Sequence, residues 1–123
     1  MAIFRRRIKI FSTKSEKMID SIEKELKRRR VDDFEVSSTI PSDVCSLEIT
    51  DNGLLVINVP ERLDFFRFDV DDFVRRRYPY QNISTQIDRD LFRLKLNIPV
   101  KESEVIEIVN YIIEEQEFCT LIK

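Results

Sequence analysis

The chain has no histidine, no tryptophan and a single glycine among its 123 residues, with two cysteines and four prolines. The lack of histidine removes the commonest general base and the commonest neutral metal ligand. A lone glycine, Gly53, cannot build the glycine-rich loop that cradles phosphates, and no serine, threonine or cysteine has the local context of a nucleophile. So few glycines and prolines argue for short, regular connections and against a flexible linker. Cys45 and Cys119 are too few and too far apart in sequence for a disulfide framework or a thiolate metal site, and they fit a reducing compartment. No run approaches the roughly 20 apolar residues of a membrane helix. The opening MAIFRRRIKIF mixes its arginines with apolar residues, unlike a signal peptide with its separate apolar stretch. The expected location is cytoplasmic, with no membrane, cofactor or metal partner.

Charge is plentiful instead. Charged residues make up 36% and hydrophobic residues 42% of the chain, enough for one core and one domain over residues 1–123. Heavy charge with few glutamines leans towards a thermophilic source. The net charge of −2 conceals a division: residues 1–30 carry eleven Lys/Arg against four Asp/Glu, and the remainder carries ten against nineteen. A chain polarised in this way tends to make complementary contacts within itself or with a second copy.

The dominant pattern is an internal repeat at a constant offset of 39 residues. Leu55, Ile57, Asn58, Val59 and Pro60 recur as Leu94, Leu96, Asn97, Ile98 and Pro99. Beyond them Phe66, Val70, Phe73 and Val74 recur as Val105, Val109, Ile112 and Ile113. Each copy reads as a strand, a proline stop and an amphipathic helix. The repeat also settles residues 60–77, where Phe66, Phe68 and Val70 alternate like a strand while Leu63, Phe66, Val70, Phe73 and Val74 keep helical spacing.

Residues 3–11 alternate as a strand, with Phe4, Ile8 and Ile10 opposite Arg5, Arg7 and Lys9. Thr13 to Glu16 forms a capping-box pattern, and the helix behind it carries Met18, Ile19, Ile22 and Leu26 on one stripe and ends in Lys27 to Arg30. Strands are expected at 34–39, 44–50 and 54–59, with Asn52-Gly53 supplying positive φ angles to a tight turn between the last two. Tyr78-Pro79-Tyr80 ends the second helix, because a residue before proline avoids helical angles. A hairpin of 83–88 and 91–98 follows, with Phe92, Leu94, Leu96 and Ile98 facing the core, and then a third, central helix over 102–115. Residues 118–123 fit either a short strand or a segment docked on the core.

The resulting order is β-α-β-β-β-α-β-β-α with an internal ββα repeat, an α+β two-layer sandwich in which three helices cover one face of a mainly antiparallel sheet. From the first helix onward this order resembles that of secretion-chaperone-like folds, which implies dimerisation and the holding of a partner polypeptide. Its first six elements are similar in order to ribosome-hibernation factors, which implies RNA binding.

Two features bear on function. Nine of the thirteen arginines lie in three triplets, Arg5 to Arg7, Arg28 to Arg30 and Arg75 to Arg77. With the helices on one face, the other would carry Arg5, Arg7, Lys9, Arg93 and Lys95 against Glu48 and Asp88. Such a surface suits phosphate, an acidic protein, or simply solvent, and Phe11 is the one aromatic there for stacking on bases. Second, helical geometry turns Phe65 and Phe68 away from the buried stripe of their helix, with Tyr78 and Tyr80 close in sequence. These four residues form a candidate protein interface, unless the helix is distorted or the last helix or tail covers the rings. Asp69, Asp71 and Asp72 fall on different helix faces and make a poor cation site. Cys45, on the side of Leu47 and Ile49, reads as a small core residue. The leading expectation is a non-enzymatic, homodimeric protein-interaction module; the alternative is nucleic-acid binding through the arginines.

Overall fold

The computed structural model describes residues 14–123. The expected strand over 3–11, with Arg5, Arg7, Lys9 and Phe11, lies outside the described residues, as does Thr13. Helix α1 (Lys14–Arg28) leads into strands β1 (Phe34–Ser37), β2 (Ser46–Ile49) and β3 (Leu55–Pro60), then a 3-10 turn (Glu61–Leu63) and helix α2 (Asp64–Arg77). Strands β4 (Ile83–Asp88) and β5 (Leu91–Leu96), helix α3 (Glu102–Gln116) and strand β6 (Cys119–Ile122) complete the chain. The six strands form one sheet in the order β1-β6-β2-β3-β5-β4. The β2/β3, β3/β5 and β4/β5 pairs are antiparallel, and β6 lies parallel to both of its neighbours.

The sequence repeat appears here as a local two-fold arrangement. Strands β3 and β5 are adjacent and antiparallel, and Val56 pairs with Lys95, the residue 39 positions ahead of it. A two-fold axis through that pair exchanges Ile57↔Leu94 with Leu55↔Leu96 and places β2 and β4 on the two outer sides. The recurring asparagine does the same job in each copy. Asn58 donates to Ser46 Oγ on β2 at 3.2 Å, and Asn97 donates to Ser84 Oγ on β4 at 3.1 Å. Each ties its strand to the outer one through a side chain as well as through the ladder.

Helices α1, α2 and α3 cover one face. Ile19, Ile22 and Leu26 of α1, Phe66, Val70 and Val74 of α2, and Val105, Ile106, Ile108, Val109 and Ile112 of α3 bury against Leu47, Ile57, Val59, Leu94, Leu96 and Leu121. α3 is the middle helix: Ser21 of α1 bonds Glu102 on one side, and Phe73 of α2 stacks on Tyr111 at 3.9 Å on the other. The Glu104 carboxylate reaches back to the Lys101 N–H at 2.8 Å and satisfies an orphan donor at the start of α3.

Two local expectations change, and one open alternative resolves. Ile98 lies beyond β5 and is 38% exposed, because the ladder stops at Leu96 and Pro99 follows. In the β2–β3 turn only Gly53 takes a positive φ, 80°, while its N–H bonds the Thr50 carbonyl and Thr50 Oγ1 accepts from the Leu54 N–H. The turn is therefore wider than a two-residue Asn-Gly turn. Residues 119–122 form an inner strand between β1 and β2, anchored by Thr120 N–H to the Cys45 carbonyl. That placement brings Cys45, just before β2, and Cys119 at the start of β6, far apart in sequence, side by side with both thiols buried.

Scarce glycine is felt at the connections. α1 ends with Arg30 at φ 62°, its N–H on the Lys27 carbonyl and the Val31 N–H on the Leu26 carbonyl, the bond pair of a Schellman stop in which glycine is the usual residue. Arg89 in the β4–β5 turn (φ 55°) and Glu117 after α3 (φ 69°) are likewise left-handed.

Candidate protein-interaction surface

Phe66, Val70 and Val74 face inward on α2, which rotates Phe65 and Phe68 outward. Phe65 is 90% exposed and Phe68 61%. Three residues apart, they share one side of the helix. The Arg67 guanidinium lies 4.7 Å from the Phe68 ring centroid and 5.7 Å from that of Phe92 on β5, whereas helical geometry turns Phe65 to the α3 side of α2, with Asp69 and Asp72. Phe92 in turn pairs across the sheet with Ile87 of β4, which is 68% exposed. Phe68, Arg67, Phe92 and Ile87 thus run as a partly apolar band from α2 to the sheet edge at β4. Arg67 Nε sits 3.2 Å from Asp64 Oδ1 but out of line, and it has no hydrogen-bond acceptor among the described residues.

Two of the expected interface residues are elsewhere. Tyr78 is 4% exposed and belongs to the core, with its hydroxyl donating to the Glu104 carbonyl at 3.2 Å and to Glu107 Oε1 at 3.1 Å. The turn at Tyr78-Pro79 swings its ring under α3, so it is no part of the surface. Burial, and then the bond to Glu107, push its phenol well above the usual range. Tyr80 is exposed and packs edge-on to Tyr78. It lies past Arg77, the last residue of α2, itself about 14 Å along the helix from Phe68 at 1.5 Å per residue, and is outside the band. Ile87 is the residue that sequence reasoning missed; its alternation with Thr85 and Ile83 puts it on the helix face, but only the sheet order reveals that β4 is an edge strand that α2 leaves uncovered.

The described members of the arginine set are placed differently from a shared phosphate surface. Arg28 and Arg29 both bond Glu25, whose carboxyl they hold at about 2, Arg28 contributing most. Arg30 holds the stop of α1. Arg75 and Arg76 bond Asp71 and Asp72 one turn back, and Arg77 bonds Glu107 on α3, lowering its carboxyl pKa. These pairs also occupy two of the three aspartates of the acidic cluster. On the second sheet face Arg93 donates to Asn58 Oδ1 at 3.1 Å and to Glu48 Oε2 at 2.8 Å, and Asn58 donates to Glu48 as well. Ser46, Asn58, Val56 and Thr120 on that face are buried, leaving Lys95 half-buried beside the Arg93–Glu48 pair. The centre of this face is a closed polar network and not a row of free cations.

An open groove of about 550 Å³ between α2 and α3 is lined by Asp69, Asp72, Phe73, Arg76, Arg77, Tyr111 and Glu115. Among the described residues, no group of three or more His, Cys, Asp or Glu is placed to hold a metal ion, and no helix is long and apolar enough to cross a membrane. The chain matches no family model, no curated protein and no solved structure. The element-order resemblances to secretion-chaperone-like folds and hibernation factors therefore add nothing to what the surface itself supports.

Proposed function

We propose that this chain is a non-enzymatic protein-interaction module that works as a homodimer, with the Phe65 and Phe68 side of α2 as its contact surface. One observation carries the reading: two phenylalanines three residues apart on the outer face of a packed helix stand largely in solvent, Phe65 at 90% and Phe68 at 61% exposure. Leaving two such rings in solvent forgoes roughly 1.5–3 kcal/mol each, and contiguous apolar patches of this kind mark contact sites more often than they occur on free surfaces. The six arginines of the candidate nucleic-acid set that meet carboxylates within the chain, Arg28, Arg29, Arg75, Arg76, Arg77 and Arg93, count against nucleic-acid binding as the leading reading. The test is Phe65→Asp with Phe68→Asp, measured by light scattering after size exclusion. The pair of changes, made at positions that contribute nothing to the core, should halve the mass while circular dichroism stays unchanged; an unchanged mass removes the reading.

A further inference from the structure

Among the described residues the sheet ends at β4, and the register of its one ladder there fixes which backbone groups face outward. Asn97 N–H bonds the Asn82 carbonyl, and the pairs Ser84↔Lys95, Gln86↔Arg93 and Asp88↔Leu91 continue the same phase. The even-numbered residues of β4 therefore bond inward to β5. Ile83, Thr85 and Ile87 point their N–H and C=O groups outward, and among the described residues no strand takes them.

Edge strands are usually protected by lysine, proline, a bulge or a cover. β4 reads Ile-Ser-Thr-Gln-Ile-Asp, with its one charge at the last position and almost every residue exposed. Its counterpart across the local two-fold axis is β2, whose outer edge is already occupied by β6. Among the described residues the same ββα unit is thus built twice, once with a strand added and once without.

We propose that β4 pairs antiparallel with β4 of a second copy, about a two-fold axis at Thr85, so that two six-stranded sheets become one continuous sheet. This rests on the homodimer reading above and specifies its geometry. The register is self-complementary. With Thr85 opposite the partner's Thr85, the three outward N–H groups and three outward C=O groups of each copy all find partners, about six bonds across the axis. On the helix face the exposed Ile87 then lies against the partner's Ile83, and Thr85 meets its own hydroxyl-bearing equivalent. On the other face Ser84 meets the partner's Gln86, and Asp88 meets the partner's Asn82. No like charges are opposed. Centring the axis on Ile83 or Ile87 instead keeps the hydrogen-bond phase but shortens the overlap and, at Ile87, drives the Arg89 turn against the partner. Association through one surface on both copies closes at two and does not polymerise. It also carries Phe68, which stands beside Arg67 on the outer face of α2, towards the same surface of the partner.

The experiment is amide hydrogen exchange on the full chain by NMR, with light scattering on the same samples. In the dimer the Ile83, Thr85 and Ile87 amides should be protected like those of inner strands, although they donate to nothing among the described residues of their own chain. Thr85→Pro removes only an outward N–H and leaves the β4–β5 ladder whole; it should weaken dimerisation about tenfold or more and leave the remaining inward amides of β4 protected. Thr85→Cys treated with oxidised glutathione should give a covalent dimer, each disulfide releasing two reduced glutathiones, while Ser84→Cys should not, because that residue faces Gln86. A dimer whose Ile83, Thr85 and Ile87 amides exchange freely, or one that Thr85→Pro leaves intact while Phe65→Asp with Phe68→Asp dissolves it, overturns the strand pairing and leaves the interaction-module reading standing. A monomeric wild type overturns both.

Discussion

Replacing Glu117 by glycine should stabilise the protein. Glu117 follows α3 at φ 69°, ψ −13°, with its N–H bonded to the Ile113 carbonyl at 2.7 Å, and its side chain is exposed. A side chain with a Cβ pays about 1–2 kcal/mol for left-handed backbone. Glycine avoids that cost but gives up roughly 0.5–1 kcal/mol more backbone entropy on folding. The difference leaves Glu117→Gly more stable by about 0.5–1 kcal/mol, a melting rise of roughly 2–5 °C. Glu117→Ala is the control, because it removes the carboxylate from the negative end of α3 while keeping the strained backbone. The relevant quantity is therefore Gly minus Ala, read from thermal or urea unfolding. Arg89→Gly against Arg89→Ala repeats the test in the β4–β5 turn, at φ 55°. β4 and β6 stand four strand spacings apart in the sheet, about 19 Å, so the two gains should add to about 1–2 kcal/mol. If glycine proves no better than alanine at both positions, the left-handed strain assigned to these connections is wrong.

Other outcomes follow from the packing. Asn58→Ala leaves Glu48 and Arg93 short of a buried partner and should cost about 2–3 kcal/mol in urea unfolding, whereas Asn97→Ala, at the exposed copy of the same position, should cost under about 1 kcal/mol. Alkaline stability should fall: burial pushes the Cys45 thiol up to about 12 and raises Cys119 too, so the unfolded chain releases those protons first and the unfolding free energy declines as pH rises above about 9. Cys45→Ala with Cys119→Ala should flatten that decline in a pH series of melting curves. Tyr78→Phe removes the hydroxyl from Glu104 and Glu107 and should lower stability at neutral pH by about 1 kcal/mol while removing the tyrosine share of the loss above about pH 10.

The parts of the fold that were readable from the sequence are those set by local periodicity. The two ββα copies, the helix over 64–77 and the hairpin of β4 and β5 follow from apolar spacing and from proline and glycine stops, which act within a few residues. The role of Asn58 and Asn97 was visible only as a repeated letter, because its meaning depends on which strand lies alongside. The insertion of β6 between β1 and β2 could not be read, since a four-residue strand with a parallel neighbour far away in sequence leaves no local trace. The same non-local placement explains Tyr78, buried by a helix 26 residues further on, and the meeting of Cys45 with Cys119. Phe65 and Phe68 were legible as outward-facing from helical angle alone. Ile87 was not, because exposure of a strand residue depends on how far the covering helix reaches. Of the arginine runs, Arg28, Arg29 and Arg75 to Arg77 have carboxylate partners one helical turn away or on α3, and counting charge does not show pairing.

The most direct test of the interaction surface is the mass of the wild-type chain beside that of Phe65→Asp with Phe68→Asp, by light scattering at low and high salt with and without a pool of short RNA and DNA. A wild-type dimer at both salt concentrations, indifferent to the nucleic acid, and a folded variant of half its mass are the predicted results. A wild type that elutes as a monomer, or that gains mass with nucleic acid only at low salt, would contradict the account and move the functional surface to the arginines.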